Sequence, residues 1–518
     1  MNEQKRTTHY SNFPESYWLS TPIPHFPTLT EDIQTEIGII GGGIVGIMTA
    51  YLLAKAGKQV TLIEANELLS GVTGHTTAKI SAQHGLIYDE LIRIFGADAA
   101  QLYYEANNEG RELIKETVQT LKIECGLETK DAVVFATSDK YVKQIEKEAR
   151  AYERLGIDGV LAYGQVDELP FPVEATITMR GQAQFHPVQF LASVLEEIEH
   201  LGGRIYENSR ALELSKDDTI VHIENGAQLA CDKVVVATHY PFNDFNGLYF
   251  SKLAISRSYA LAAKVDAPIP QAMYLSAESP SRSLRSIPNV DGEEWLLIGG
   301  DDHDTGKSRT PTQAHYNNLE AFGRTWFGLQ EVPYHWSAQD MSTLDKVPYI
   351  GQMTTSSSDI FVATGFNKWG MAMGALSAQL LSDLILEKPN PYADLFGPTR
   401  SKLKVKDVQQ FMKKNTSVAK DLVATKTQRP QMTPDELNFD EGGLVLVNGK
   451  KAGGYRDVDG QLHLVNTTCT HLGCGLRWNN AERSWDCACH GSRFSYTGDV
   501  IDGPAVKPLE RLEEELQD

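Results

Sequence analysis

The segment "TEIGIIGGGIVGIMTAYLLAKAGKQVTLIEA", which runs from Thr35 to Ala65, decides the fold of the first part of the chain. Its short apolar stretch "IGII" predicts a buried strand, and the good helix formers from Ile47 to Ala56 predict a helix that Gly57 ends. A second apolar stretch, "QVTLIE", predicts the next parallel strand. The order strand, helix, strand is that of a βαβ unit.

The turn between the first strand and the helix carries three glycines at fixed spacing, Gly41, Gly43 and Gly46. In such a turn the first glycine permits the tight bend, the second lets the backbone approach a pyrophosphate, and the third lets the helix lie close to the strand. The anion then lies against the free N–H groups at the helix N-terminus. Glu64 ends the second strand, where a carboxylate accepts hydrogen bonds from a ribose hydroxyl. The segment therefore predicts a dinucleotide-binding site.

Two later segments also place small residues after an apolar strand. The first, "CDKVVVATHYP", contains Thr238, and the second, "DIFVATGFNKWGMAMGALSAQLLSDLI", places Gly365 and Gly370 before a long predicted helix. A glycine-lined helix start suits the electron-rich end of an isoalloxazine ring, because its N–H groups are oriented toward that end. The alternative is that these glycines only let the helix and the strand pack closely.

These segments, together with "WSAQDMSTLDKVPYIG", resemble the D-amino-acid oxidase and glycine oxidase-like FAD oxidoreductases between Ser16 and Lys388. The resemblance implies an α/β FAD-binding Rossmann-like domain and an α+β substrate domain, whose antiparallel sheet lies over the flavin ring. It also implies FAD as the cofactor, and hydride transfer to it from a carbon that bears nitrogen or oxygen.

In this family the region that here reads "LLSGVTGHTTAKISAQHG" runs beside the pyrophosphate and the ring, so Thr73 and Thr76 are expected to donate to phosphate. His75 occupies the position where some members carry a histidine linked covalently to the flavin, although Gly74 replaces the usual aromatic residue. An ordinary hydrogen-bonding histidine is the alternative. The sequence assigns no catalytic residue. An arginine would suit a substrate carboxylate, and the polar candidates for the substrate cavity are His239, Arg257, Tyr259, Arg282, Arg285 and His303.

Four of the six cysteines lie near the end of the chain, in "CTHLGC" from Cys469 to Cys474 and "CACHGS" from Cys487 to Ser492. Each stretch offers a thiolate and an imidazole within a few residues. Two such loops can chelate a binuclear iron centre, with the cysteines on one iron and the histidines on the other. A tetrahedral zinc site with two cysteines and two histidines is the rival interpretation.

These stretches, followed by "GDVIDGPA", resemble a Rieske [2Fe-2S] domain between about Asn438 and Leu512. The resemblance implies a small all-β domain in which Gly503 and Pro504 form the loop that covers the cluster. Its implied cluster ligands are Cys469, His471, Cys487 and His490, and its implied disulfide bond joins Cys474 to Cys489. Such a bond is unusual in a cytosolic protein, where thiols are normally reduced.

One departure from the Rieske pattern bears on the redox potential. High-potential members carry a tyrosine that donates to a ligand sulfur, whereas this chain has Phe494 at that position and retains Ser492. Fewer hydrogen bonds to sulfur favour the oxidised cluster, so we expect a potential in the lower or middle part of the Rieske range of about −150 to +300 mV.

The length of the chain limits how it can be divided into domains. A chain of 518 residues is too long for one hydrophobic core. We expect an N-terminal leader (1–30), an FAD-dependent oxidoreductase unit with an interleaved substrate domain (31–397), a linker helix (398–427) and a Rieske domain (428–518).

The first twenty residues contain no continuous apolar run, and no stretch of eighteen apolar residues follows, so neither a secretory signal nor a membrane span is expected. Few cysteines predict a cytoplasmic protein, and the net charge of −20 disfavours nucleic acid as a partner.

Together these features predict a dehydrogenase that oxidises a small amine or amino acid. FAD accepts two electrons as hydride and a Rieske cluster passes electrons singly, so an external one-electron carrier is the expected final acceptor. Two alternatives are electron flow from a donor protein through the cluster to the flavin, and a redox-sensing protein that does not turn over.

Overall fold

The computed structural model describes residues 13–215, 219–243, 247–288, 292–308, 310–400, 430 and 432–513. The predicted linker helix at 398–427 lies almost wholly outside these ranges, so it stays a prediction. The helices of the described residues are α1 Ile44–Lys55, α2 Tyr88–Phe95, α3 Ala97–Leu121, α4 Asp139–Leu155, α5 Pro187–His200, α6 Tyr249–Lys252, α7 Gln313–Phe327, α8 Gly370–Ile385 and α9 Ala393–Phe396. In this described part of the chain, no helix is both long and apolar enough to cross a membrane.

The strands before residue 400 are β1 Ile33–Ile40, β2 Val60–Ile63, β3 Lys79–Ile80, β4 Glu128–Ala136, β5 Gly159–Tyr163, β6 Ala175–Gln184, β7 Arg204–Tyr206, β8 Ala211–Leu214, β9 Ile220–Ile223, β10 Gln228–Val236, β11 Leu253–Val265, β12 Met273–Ser276, β13 Arg282–Pro288, β14 Glu294–Asp304, β15 Leu329–Thr343, β16 Tyr349–Thr354 and β17 Ser357–Thr364.

The first sheet has the strand order β16-β17-β10-β1-β2-β7, and β17, β10, β1, β2 and β7 run parallel. Its strands are apolar on both faces, as a parallel sheet covered on both sides requires. Ile39 of β1 packs in the core that contains α1 and α8, whereas its neighbour Ile40 packs in a second core with Val236. The predicted strand and helix of the βαβ unit are confirmed, but α1 begins at Ile44, three residues earlier than the sequence suggested.

The second sheet has the order β15-β11-β14-β13-β12-β4-β6-β3, with β5 beside β6. Side chains alternate between its two faces. On β11, Ala260 belongs to the core shared with α1 and α8, whereas Tyr259 and Leu261 belong to the core formed with α7. The predicted leader also contributes to the first core, because Trp18 is 1% exposed and its indole N–H donates to the Thr76 carbonyl oxygen at 2.7 Å.

Residues 432–513 form the predicted all-β unit, which we call the C-terminal module. Hairpin turns at Asn448-Gly449 and Asp459-Gly460 lie where the sequence placed them, since both glycines have positive φ. The module has two four-stranded sheets, β18-β19-β20-β25 and β21-β22-β23-β24. Its strands are β18 Glu441–Val447, β19 Lys450–Arg456, β20 Leu462–Val465, β21 Leu476–Asn479, β22 Ser484–Cys487, β23 Arg493–Ser495, β24 Val500–Asp502 and β25 Arg511–Leu512.

Candidate functional site

The glycine-rich turn after β1 forms the cradle that the sequence predicted. Gly41 has φ +115°, a conformation that favours glycine, and a Cβ there would lie 2.5 Å from the Ala237 carbonyl oxygen. A Cβ at Gly46 would overlap the carbonyl oxygen of Gly41, so α1 can lie this close to β1 only with glycine at that position. Gly43 precedes the helix, and Thr73 Oγ1 accepts a hydrogen bond from the Ile44 N–H at 3.1 Å.

Glu64 lies beside this cradle at the end of β2. One of its carboxylate oxygens accepts from the Gly42 N–H at 2.7 Å, and the other accepts from the Asn66 N–H at 3.0 Å. The carboxylate is therefore held at the cradle by backbone donors, and a carboxylate has lone pairs for further hydrogen bonds.

A cavity of about 1100 Å³ extends from the cradle to the second sheet. The predicted FAD-binding residues that line it are Gly41, Gly43, Glu64, Thr73, His75, Thr76, Thr238 and Gly370. Gly46 and Gly365 lie behind the wall, where each permits a close approach, Gly365 against the side chain of Thr343. The hydroxyls of Thr76 and Thr238 bond to backbone at Ala78 and Tyr240. Glycine backbone, a helix N-terminus and a carboxylate fit a dinucleotide, so this donor set fits FAD.

Two of the histidines that line the cavity, His75 and His84, have lowered pKa values. Burial lowers the pKa of His75, whose Nδ1 lies 2.9 Å from the Gly71 carbonyl oxygen. Burial lowers the pKa of His84 to about 3, and its ring stacks on Trp369 at 4.8 Å. His84 and Trp369 were not predicted from the sequence, because the two residues lie 285 positions apart and no local pattern joins them.

The three arginines proposed for the substrate cavity already have partners within the protein. Arg285 is buried and donates to the carbonyl oxygens of Thr77 and Ala78 at 3.1 and 2.7 Å. Burial lowers its pKa to about 9. Arg282 pairs with Asp301 at 2.9 Å, and neither of these two arginines lines the cavity.

Arg257, the third, is 1% exposed and reaches the C-terminal module. Its guanidinium donates to the Ser337 hydroxyl and pairs with Glu482 at 3.6 Å and with Asp502 at 3.4 Å. Arg493 of the module pairs with Asp502 at 3.0 Å, which extends the buried network. Arg257 is therefore a docking residue.

Of the remaining candidates, His239 and Tyr259 border the cavity, whereas His303 does not. Tyr259 packs with α7 on the opposite face of the sheet, and its hydroxyl lies 2.9 Å from His303 Nε2. His239 lines the cavity, and its Nε2 lies 3.3 Å from Asp340 Oδ1. The sequence did not single out Asp340, because nothing in its local pattern distinguishes it from a surface carboxylate.

The two cysteine-histidine loops of the module lie side by side. The His471 and His490 rings have centroids 5.2 Å apart, and Cys469 and Cys487 are free, buried thiols. These thiols hydrogen-bond to each other, which lowers the pKa of Cys469 and raises that of Cys487. Two adjacent sulfurs and two adjacent imidazoles are the donor set of a Rieske cluster.

A disulfide bond joins Cys474 to Cys489, one from each loop. The sulfurs of Cys474, Cys487 and Cys489 lie within 4.8 Å of one another. Two of these sulfurs belong to the disulfide and are not thiolates, so their proximity places the bridge beside a candidate ligand rather than marking a separate metal site. Beside the loops, the Ala505 N–H of the proline loop donates to Ser492 Oγ at 3.1 Å.

The cluster loop (487–492) packs directly on the flavin-cavity sheet. Gln339 Nε2 donates to the Gly491 carbonyl oxygen at 2.8 Å, and a Cβ at Gly306 would lie 2.7 Å from the Ala488 nitrogen. The Phe250 ring meets the His490 ring edge-on at 5.5 Å. Module residues also line the cavity itself, among them Glu482, Arg493 and Pro504. The candidate cluster site and the cavity therefore share one wall.

Comparison with known proteins agrees with this division. The family described as FAD dependent oxidoreductase matches residues 36–384, and the Rieske [2Fe-2S] domain matches residues 420–513. The Bacillus subtilis protein YhfW, whose name describes it as a Rieske 2Fe-2S iron-sulfur protein, is 44% identical over 96% of this chain and 98% of its own length. Gamma-glutamylputrescine oxidoreductase of Escherichia coli is 22% identical over 70% of this chain and 85% of its own.

Among solved structures, glycine oxidase from Geobacillus kaustophilus has a TM-score of 0.61 and 18% identity, covering 71% of this chain and 99% of that chain. At this identity the likeness concerns the fold alone, since one fold hosts many activities.

Proposed function

Because this chain belongs to the FAD-dependent oxidoreductase family and carries a Rieske [2Fe-2S] domain, we propose that it is a dehydrogenase acting on a small amine or amino-acid-like substrate. Bound FAD supplies hydride acceptance and the cluster supplies one-electron transfer. The substrate carbon that bears nitrogen loses a hydride and the nitrogen loses a proton, which leaves an imine. The two electrons then pass one at a time to an external one-electron carrier, so that two carrier molecules are each reduced once, and the hydrogen of the hydride is released as a proton.

The residues proposed to hold FAD are those of the cradle and the cavity wall. The N–H groups at the start of α1 face the pyrophosphate position, and Glu64 accepts from the ribose. Thr73 orients the first turn of α1. Gly370 begins α8, whose N-terminus also lies at the cavity. His75 as a covalent attachment point remains a proposal, for which a denatured, acid-precipitated sample that retains flavin absorbance is the test.

The residues proposed to hold the cluster are Cys469, His471, Cys487 and His490. The disulfide between Cys474 and Cys489 ties together the two loops that carry them. Zinc would use the same four ligands, and the iron and acid-labile sulfide content of the purified protein distinguishes the two metals. Along the chain we propose the oxidoreductase unit at 31–397 and the Rieske domain at 428–518.

The observation that carries the proposal is the shared wall between cavity and cluster loop. Asp340 borders the cavity, and the preceding residue, Gln339, donates to the carbonyl oxygen of Gly491, which follows the candidate ligand His490. One strand, β15, thus separates the two cofactor sites. This arrangement supports transfer of electrons within the chain.

Anaerobic mixing with a panel of amines and amino acids tests the proposal. We expect loss of flavin absorbance, followed by loss of the visible absorbance of the oxidised cluster. Reduction of both centres only by a reduced electron-transfer protein would support flow in the opposite direction. Absence of reduction by either route would leave a redox-sensing role.

A further inference from the structure

The charged groups of the cavity wall restrict the substrate. An amino-acid carboxylate needs a cation that is not already neutralised by the protein, because an unpaired buried charge is costly. The cationic side chains that line the cavity, among the residues that the structure describes, are Lys79, Arg210, Arg257, Lys368 and Arg493. Each already has a protein partner.

The two arginines nearest the module belong to its docking network. Arg257 pairs with Glu482 and Asp502, and Arg493 pairs with Asp486 at 3.0 Å and with Asp502. Arg210 donates to the Asn66 side chain at 2.8 Å, next to Glu64 at the cradle and away from the second sheet. Arg257 and Arg493 are neutralised by carboxylates. Arg210 has an uncharged partner, but it lies beside the cradle and is not placed to meet a substrate carboxylate at the second sheet.

The two lysines are engaged as well. Lys368 pairs with Asp302 at 3.1 Å. Lys79 is buried and its Nζ donates to the Tyr274 carbonyl oxygen at 2.7 Å. Burial, together with the nearby Arg285 charge, lowers the pKa of Lys79 to about 7, so its positive charge is largely lost above neutral pH.

Asp340, in contrast to these cations, presents a negatively charged group to the cavity. It lies on the cavity face of β15 together with Trp336, whose indole donates to the His75 carbonyl oxygen at 2.9 Å. Asp340 is 8% exposed, and its Oδ1 accepts from the Met341 N–H at 2.6 Å and meets His239. Within the described part of the chain no hydrogen bond reaches its Oδ2. A nearly buried carboxylate with one oxygen available is suited to an ammonium group.

Asp340 also lies close to the segment that leads into α8, the second helix whose N-terminus lies at the cavity. The Asn367 N–H donates to the Met341 carbonyl oxygen at 2.8 Å, which joins β15 to the segment before Gly370. We infer that the substrate is an amine that lacks an α-carboxylate, and that Asp340 accepts a hydrogen bond from its ammonium group. This inference rests on the proposed function and narrows it to one substrate class.

Matched pairs that differ only in the carboxylate test the inference, namely phenethylamine against phenylalanine and isobutylamine against valine. The holoenzyme is titrated anaerobically with each compound, while flavin absorbance and the shift in melting temperature are recorded. We expect each amine to reach its half-maximal effect at a concentration at least tenfold lower than its amino acid. Equal or tighter binding of the amino acids would overturn the inference and leave the proposed function standing.

Substitutions at Asp340 test whether this residue is responsible for the response to amines. Asp340→Asn should raise the half-maximal amine concentration about tenfold or more, whereas Asp340→Glu, which keeps the charge, should recover part of it. Asp359→Asn, at a half-buried carboxylate on β17 that pairs with Lys233 and does not border the cavity, is the matched control and should give the wild-type amine response. An unchanged amine response in Asp340→Asn would overturn the role of Asp340. If neither member of any pair reduces the flavin while dithionite does, the proposed function itself fails.

Discussion

The two candidate cofactor sites are built in different ways. The candidate cluster site consists of two loops, "CTHLGC" and "CACHGS", whose proposed ligands and disulfide lie within 22 residues. The flavin cavity collects residues from Phe13 to Val506, including a wall supplied by the C-terminal module. The first site is local and the second is composite. Substitutions in the local site should therefore affect the cluster alone, whereas substitutions in the shared wall should affect both the oxidoreductase unit and the C-terminal module.

The largest expected effect is from Cys487→Ser, which removes a candidate cluster ligand. We expect complete loss of cluster absorbance and of acid-labile sulfide, with FAD still bound, because Cys487 does not line the cavity. Visible spectra and iron analysis provide the measurement. Cys125→Ser, at a buried free cysteine of the oxidoreductase unit, is the control and should retain both cofactors. Loss of FAD in Cys487→Ser would break the distinction between local and composite sites.

The next effect is from Arg257→Leu in the docking network. It leaves the acidic partners Glu482 and Asp502 without this cation in a buried interface, which typically costs about 3–5 kcal/mol. We expect lower stability toward urea, and faster proteolysis between the two units. Arg324→Leu, whose arginine pairs with Glu320 on the surface of α7, should change stability by about 1 kcal/mol or less. Equal effects of both variants would contradict a docking role.

A smaller effect is expected from Gln339→Leu, which removes the hydrogen bond to Gly491 from the shared wall. Loss of one buried hydrogen bond costs about 1–3 kcal/mol. We expect slower reduction of the cluster after the flavin is reduced, while the flavin is reduced at the wild-type rate. Rapid mixing at flavin and cluster wavelengths separates the two steps. Gln352→Leu, on the exposed side of β16, is the control.

The smallest structural change is Phe494→Tyr, inside the local site. Phe494 is fully buried in the core that contains Cys469 and Cys487. A hydroxyl that donates to a ligand sulfur should raise the potential toward the upper part of the range of about −150 to +300 mV. A redox titration measures the shift, with Phe439→Tyr at the module surface as the control. A wild-type value already near the top of that range would refute the expected low or middle potential.

The same contrast explains what the sequence could predict. The βαβ unit and the cluster loops are contiguous sequence patterns. In each, the cofactor that binds there requires glycines, or cysteines and histidines, at a fixed spacing, so both can be recognised from the sequence alone. Arg257 was named for the substrate cavity, but its partners are Glu482 and Asp502, more than 200 positions away. Asp340 was not named, because its role depends on which face of β15 meets the cavity. Such long-range pairings follow from how the two units dock.

The contact at Gly306 has a consequence for biogenesis. There the cluster loop meets the oxidoreductase unit backbone to backbone, and His490 is only 5% exposed. A scaffold that delivers iron and sulfide needs open access to these loops. We therefore expect iron and sulfide to enter the loops before the module packs against the oxidoreductase unit.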